Sequence, residues 1–132
     1  MKTLNGVFDK IASVENLEAS ICEAARGKRH KRSVRYALKH QKEVAEMLHE
    51  QLVNGTWTPP EVHHAHMIGD GVSSKKREIV CPEFVREQVV HHAILRVIAP
   101  FIVRRFDRWS CGSIPGRGQE ELAAMLMKRK KT

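Results

Sequence analysis

The sequence predicts an α+β fold that is mostly helical and contains one short β-hairpin. Apolar residues recur at Val85, Val89 and Ala93, which is the spacing of one face of a helix. Two short runs with β-branched residues flank a Gly69-Asp70-Gly71 turn, a pattern typical of a hairpin. The aromatic content is only 5%, so the core has to be built mainly from aliphatic side chains.

The predicted elements follow one another without a long linker or an internal repeat. They are helices over residues 14–26, 36–53, 84–98 and 119–129, and strands over residues 62–68 and 77–81. Gly27 and Asn54-Gly55 are expected to end the first two helices. Pro100 is expected to break or kink the third helix, and residues 101–106 then continue it for a turn or two.

The charge balance predicts a polyanionic partner. The formal net charge is +8, which favours nucleic acid first and an anionic membrane surface second. No helix combines a strongly apolar face with a lysine-lined one, so binding to a membrane is not expected. Three widely spaced cysteines, no continuous apolar leader segment and no long apolar run together predict a cytoplasmic protein.

Basic residues occur in three clusters, which is typical of contacts with a phosphate backbone. The first cluster comprises Arg26, Lys28, Arg29, Lys31, Arg32 and Arg35. The second comprises Lys75, Lys76 and Arg77, and the third comprises Arg104, Arg105 and Arg108. No acidic residue occurs between Arg26 and Lys42, so the first cluster has no neutralising carboxylate in its own segment.

The loop WSCGSIPGRGQ, residues 109–119, has the features of a phosphate-contact loop. Its glycines allow close approach of the backbone to a ligand, and Pro115-Gly116 is a turn pair. Arg117 lies between two glycines, so we expect its side chain to be unshielded. Gln119 begins a helix, whose free N–H groups favour an anion.

The histidines and carboxylates do not form a recognisable metal or catalytic site. His64 and His66 share one face of a strand while His63 points away, and His91 and His92 diverge around a helix. The acidic residues have basic neighbours in helices, so no cluster of carboxylates for Mg²⁺ is expected. We therefore assign no metal ligands and no catalytic residues, and a small histidine metal module remains only as an alternative.

The order of short motifs resembles the N-terminal part of bacterial reverse transcriptases. The motifs are GKRHKRSV, NGTW, KKREIVCP, VVHHAILRVIAPFIVRRF and SCGSIPGRG. They are most similar to those of retroelements related to group II introns and to diversity-generating elements. The resemblance extends from Glu15 to Gly118, and its most specific parts are KKREI, VVHHA and SCGSIPGRG.

This resemblance implies that residues 1–132 form a single partial domain, the fingers and the entry to the palm, with the hairpin packed on helices. Arg77 matches the arginine that contacts the triphosphate of the incoming deoxynucleotide, with Lys75 and Lys76 beside it. The template–primer contacts fall on Ser110, Gly112, Pro115, Gly116, Arg117 and Gly118. The first basic cluster, Arg26 to Arg35, is then expected to bind structured RNA.

The chain departs from the family pattern at several positions. The family has a lysine early in the hairpin, and near that place this chain has His66, Met67 and Ile68. Where the family has an Asp-Arg pair, this chain has Glu87-Gln88. Ile114 replaces the arginine before Pro-Gly. The catalytic Asp of the first palm strand and the Tyr-x-Asp-Asp turn, which hold Mg²⁺ in an intact polymerase, have no match, and the chain ends about where that strand would begin.

The sequence therefore predicts a fragment of an RNA-directed DNA polymerase, a nucleotidyltransferase that is not catalytic by itself. Its expected partners are an RNA template, a DNA primer and, in the intact enzyme, a deoxynucleotide. The alternative is a stand-alone basic RNA-binding module derived from a reverse transcriptase. In that alternative the apolar face of Leu122 and Leu126 is buried within the chain.

Overall fold

A computed structural model of the protein describes residues 5–61, 64–69 and 76–129. The helices are α1 (Val7–Ala12), α2 (Val14–Ala24), α3 (Arg32–Lys39), α4 (Gln41–Val53), a π-helical segment (Phe84–Val89), α5 (Val90–Val103) and α6 (Gln119–Arg129). The strands are β1 (His64–Gly69) and β2 (Lys76–Cys81). The chain is thus mostly helical with one hairpin, and it divides into two compact units, residues 1–97 and residues 98–132.

The core of the first unit is built around α2. Leu17 and Ile21 of α2 are fully buried, as the helical spacing predicts, and α2 packs against α1, α3, α4 and the π-helical segment. Leu48 from α4, Val34 from α3 and Val89 from the π-helical segment complete an aliphatic cluster. Burial of each such side chain contributes roughly 1.5–3 kcal/mol, so this cluster is the main support of the fold.

Two polar side chains fix the start of α2. Ser13 precedes the helix, and its Oγ accepts a hydrogen bond from the backbone N–H of Asn16 at 3.3 Å. The side-chain amide of Asn16 donates to the carbonyl oxygens of Ile11 and Ala93, both at 3.1 Å. Asn16 therefore joins α1, α2 and α5.

The single helix predicted over residues 36–53 is wrong, because the structure has two helices there. His40 adopts φ −112° and ψ 40°, which interrupts the helix between α3 and α4. The first of the two begins at Arg32, before the predicted start, because Val34 and Ala37 are buried against the core. On α4, Val44 and Leu48 are buried, while Met47 of the predicted face is 41% exposed.

The hairpin forms with the predicted pair of strands. β1 and β2 are antiparallel, with His64 opposite Cys81 and Gly69 opposite Lys76. The turn residues Asp70 and Gly71 lie outside the described residues. Packing of this hairpin on helices was predicted, but Ile79 and Val80 are 44% and 55% exposed. Consecutive residues on a strand point to opposite faces, so both faces of β2 are open to solvent at these two positions.

The helix predicted over residues 84–98 begins as a π-helical segment, and the continuation predicted after Pro100 is present as far as Val103. Glu83 caps its start, since the carboxylate accepts from the backbone N–H groups of Val85 and Arg86. Pro100 lies inside α5, so it does not break the helix. A proline has no N–H to donate, and the helix therefore loses one hydrogen bond, the one to the carbonyl four residues earlier.

The second unit contains the end of α5, the loop of residues 104–118 and α6. The final helix was predicted over residues 119–129, and α6 occupies that range. Its apolar residues are not buried: Leu126 and Met127 are 51% and 62% exposed. Among the described residues, no helix combines the length and the hydropathy needed to cross a membrane.

Candidate nucleic-acid interface

The first basic cluster lies on the turn between α2 and α3 and on α3 itself. Gly27 has φ 71°, the left-handed conformation that reverses the chain after α2. Ala25 before the turn and Val34 after it are buried, which anchors both sides of the turn to the core. The predicted cluster is therefore held on a rigid support within the first unit.

Five side chains of the cluster are exposed. They are Arg26, Arg29, Lys31, Arg32 and Arg35. In the part of the chain that the structure describes, none of the five side chains forms an ion pair or a hydrogen bond. Five like charges close together on one surface repel one another, and a bound polyanion would relieve this repulsion.

Lys28 differs from its neighbours in the cluster. It is half-buried, and its ammonium donates to Oε1 of Gln88 in the π-helical segment. Gln88 in turn donates from Nε2 to the carbonyl oxygen of Pro82 at 2.7 Å. The sequence placed Lys28 among the phosphate ligands, whereas the structure gives it a contact that fixes the basic turn.

Two of the predicted nucleotide-contact residues, Lys76 and Arg77, lie at the first two positions of β2. Arg77 is opposite Ile68 in the register, and Lys76 is opposite Gly69. Lys75 lies outside the described residues, as do the side chains of Lys76 and Arg77. The structure therefore places the backbone of Lys76 and Arg77 on one strand of an antiparallel ribbon.

The glycine-rich loop of the second unit is closed by its own hydrogen bonds. Arg117 donates its backbone N–H to the carbonyl oxygen of Ile114 at 3.0 Å, and Gly116 has φ 76°. These are the features of a turn with Pro115 and Gly116 at its centre. Cys111 and Ser110 lead into this turn and are partly covered, while Gly112 and Gly118 are exposed.

The expectation that Arg117 is unshielded is wrong. The residue is half-buried, and its Nη1 donates to the carbonyl oxygen of Asp107 at 3.2 Å. The carboxylate of Asp107 also accepts from the backbone N–H of Trp109 at 2.8 Å. The side chain thus folds back onto the backbone of the same loop, an outcome that the residues flanking Arg117 do not reveal.

Acidic side chains also change the electrostatics of this loop. Glu120 and Glu121 occupy the first turn of α6 and line the same open depression as Arg117, Gly116 and Gly118. Carboxylates at this place already satisfy the positive end of the helix dipole. A phosphate at the start of α6 would meet them, so the first basic cluster is the better anion site.

Tyr36 and His40 are features of the interface that sequence reasoning missed. The Tyr36 ring is 58% exposed and packs against the ring of His40, with the centroids 4.7 Å apart. The signal available in the sequence was an aromatic residue among basic residues in a segment without acidic residues. Aromatic rings interleaved with basic residues are typical of surfaces that bind single strands.

The residues present do not fit the magnesium site that the reverse transcriptase resemblance implies. Among the described residues, no group of three His, Cys, Asp or Glu side chains comes together. His92 faces Glu23, with Nδ1 and Oε2 3.8 Å apart, and His91 is exposed. We therefore assign no metal-dependent step to this part of the chain.

Comparison with known proteins leaves the family unassigned. No protein-family description and no curated protein matches the chain.

Proposed function

We propose that this chain is the fingers part of an RNA-directed DNA polymerase and that it binds the sugar–phosphate backbone of RNA through the first basic cluster. The observation that supports this most strongly is the set of five exposed cationic side chains on one turn and one helix, none of which has an ion-pair partner among the described residues. Contacts of this kind position a nucleic acid without reading its bases. By itself, the chain is not expected to polymerise.

The hairpin supports the polymerase part of the proposal. Arg77 lies near one end of a two-stranded ribbon in which Glu78, Ile79 and Val80 of β2 are exposed. In the proposed role such a ribbon closes over a nucleotide, and an arginine near its end contacts the triphosphate. The exposed apolar side chains of α6 fit a surface that other polypeptide covers in a larger enzyme.

The second candidate is a stand-alone RNA-binding module derived from a reverse transcriptase. The first unit favours it, because Leu17, Ile21 and Leu48 form a buried core without help from the second unit. The exposure of Leu126 disfavours it, since the module was expected to bury that face internally. Both candidates share the same RNA-binding surface.

Salt-dependent RNA binding tests the surface. Two double variants that each remove two positive charges are compared: R29Q/R32Q inside the cluster and K10Q/K42Q outside it. Five phosphate contacts predict a slope of log K against log salt of roughly −3.5, and removal of two lowers its magnitude by about 1.4. The outside pair should leave the slope unchanged. If both double variants reduced the magnitude of the slope equally, only the net charge of the protein would matter, and the proposed surface would be wrong.

The DNA of the native source beyond the Thr132 codon separates the two candidates. A reading frame that encodes an Asp-bearing strand and a Tyr-x-Asp-Asp turn supports the polymerase. A stop codon followed by unrelated sequence supports the module.

A further inference from the structure

Tyr36 is the single tyrosine of the chain, and its ring is presented to solvent by α3. The ring planes of Tyr36 and His40 are inclined by 30°, so the two rings form a short tilted stack along the helix. Val34 and Ala37 face the core, which fixes the helix and directs Tyr36 outward. An exposed ring on a rigid helix loses little conformational freedom when it binds a flat ligand.

The His40 ring, which packs against Tyr36, is itself held in place by a neighbouring residue. Nδ1 of His40 and Oε2 of Glu43 are 2.9 Å apart, and the His40 side chain is 31% exposed. This contact restricts the imidazole, which in turn supports one side of the phenol ring. Glu43, His40 and Tyr36 therefore form a chain of contacts that ends in an exposed aromatic surface.

The surroundings of the exposed ring are cationic. Arg32 and Lys39 lie one helical turn before and after Tyr36, on the same side of α3, and both are exposed. In the part of the chain that the structure describes, neither has a partner for its charge. A ligand that fits here has a flat apolar face and negative groups on both sides of it.

We propose that Tyr36 is a stacking platform for an unpaired base of a single-stranded nucleic acid, with Arg32 and Lys39 on the flanking phosphates. The proposal rests on the nucleic-acid binding proposed above. It adds that the nucleic acid is single-stranded where it contacts Tyr36. In a duplex the faces of the bases are covered by their neighbours, so only an unpaired base can reach the ring. Every base has such a face, and the platform is therefore tolerant of sequence.

The test uses the whole chain with 3-fluorotyrosine in place of tyrosine, which gives one fluorine resonance from Tyr36. Three ligands are compared: an unpaired RNA of about ten nucleotides, a duplex of the same length, and an abasic strand with the same phosphates. The unpaired RNA should shift the resonance, and the other two should bind through their phosphates without that shift. An unpaired DNA of the same sequence shows whether the sugar matters.

Substitutions at the ring separate stacking from charge. Tyr36→Leu should weaken binding of unpaired RNA by about 5- to 100-fold, the range of a lost base stack, and leave binding of the abasic strand unchanged. Tyr36→Phe should bind like the native chain. His40→Ala should give a smaller loss of the same kind, because the ring is then unsupported. Leucine is a good helix former, and circular dichroism checks that α3 is retained.

The outcomes distinguish this proposal from the one on which it rests. If all ligands bind but the abasic strand binds as tightly as unpaired RNA, backbone binding stands and the platform is wrong. If no ligand binds, both proposals fail. If an acidic peptide of equal charge shifts the resonance as RNA does, the surface is a protein-binding one, and the stacking proposal is overturned.

Discussion

The ammonium of Lys28 donates a hydrogen bond to the side-chain oxygen of Gln88, and this contact joins the basic turn before α3 to the helical segment after the hairpin. The two residues are 60 positions apart in the sequence. Lys28 is also the half-buried member of a cluster whose other members are exposed. The contact therefore separates a supporting lysine from the residues that are free to bind phosphate.

Substitution of Lys28 should lower the stability of the protein more than substitution of its neighbour Arg29. Lys28→Met keeps the apolar stem but removes the donor to Gln88, and we expect it to lower the free energy of unfolding by roughly 1 kcal/mol. Arg29→Met, on an exposed side chain, should change that free energy by less than about 0.5 kcal/mol. Urea unfolding measures both values.

The same two variants should differ in the opposite way in RNA binding, where Arg29→Met has the larger effect. Arg29→Met removes one phosphate contact and should lower the magnitude of the salt slope by about 0.7. Lys28→Met should change it less, because the ammonium is already engaged with Gln88. A larger salt-slope effect for Lys28→Met than for Arg29→Met would show that Lys28 is a principal phosphate ligand after all.

The elements that periodicity marks strongly were predictable from the sequence. Leu17, Ile21 and Ala24 fall on one face of a helix, and that face is buried. The break at His40 was not predictable, because no Gly or Pro marks it and the interruption depends on how α3 packs. The π-helical start after Glu83 was not predictable either, because the prediction assumed the spacing of an α-helix throughout this segment.

The candidate site was predictable in its charge but not in its contacts. Arg26 and Arg32 are both exposed, and the positive charge of their segment follows from the sequence, which has no acidic residue from Arg26 to Lys42. The engagement of Lys28 by Gln88 joins residues 60 positions apart, and the contact of Arg117 with the carbonyl of Asp107 closes a loop of ten positions. Periodicity and charge patterns contain neither contact, because both depend on how the chain folds back on itself.

Asn16 should be a sensitive position for the stability of the first unit. Its amide donates to two backbone carbonyls, and its Oδ1 accepts from Nε of Arg96 at 3.1 Å. Asn16→Leu removes one donor from each of the two carbonyls and the acceptor of Arg96, at a cost of about 2 kcal/mol in the free energy of unfolding. Thermal and urea unfolding measure this loss.

A matched variant identifies which contacts of Asn16 matter. Asn16→Asp keeps the acceptor for Arg96 but removes both donors and places a charge beside the carbonyls of Ile11 and Ala93. We expect it to be at least as destabilising as Asn16→Leu. If Asn16→Asp were as stable as the native chain, the contact with Arg96 alone would be responsible.

Arg77 is expected to set the affinity for the incoming nucleotide in a polymerase that contains this chain. A charge-assisted contact to phosphate is worth about 1.5–3 kcal/mol, so Arg77→Ala should raise the KM for deoxynucleotide roughly 10- to 100-fold. Glu78→Ala, at the next position of β2 and on its opposite face, is the control and should leave KM unchanged. An unchanged KM for Arg77→Ala would remove this role.

The buried and exposed leucines should respond differently to the same truncation. Leu48 is fully buried in the first unit, and Leu48→Ala should cost about 2–5 kcal/mol in the free energy of unfolding. Leu126 on α6 is half exposed, so Leu126→Ala should change the free energy of unfolding of this chain by less than about 0.5 kcal/mol. Urea denaturation of the two variants under one set of conditions gives the comparison. A cost of several kcal/mol for Leu126→Ala would mean that this face is buried within the chain, which is the behaviour expected of the stand-alone module.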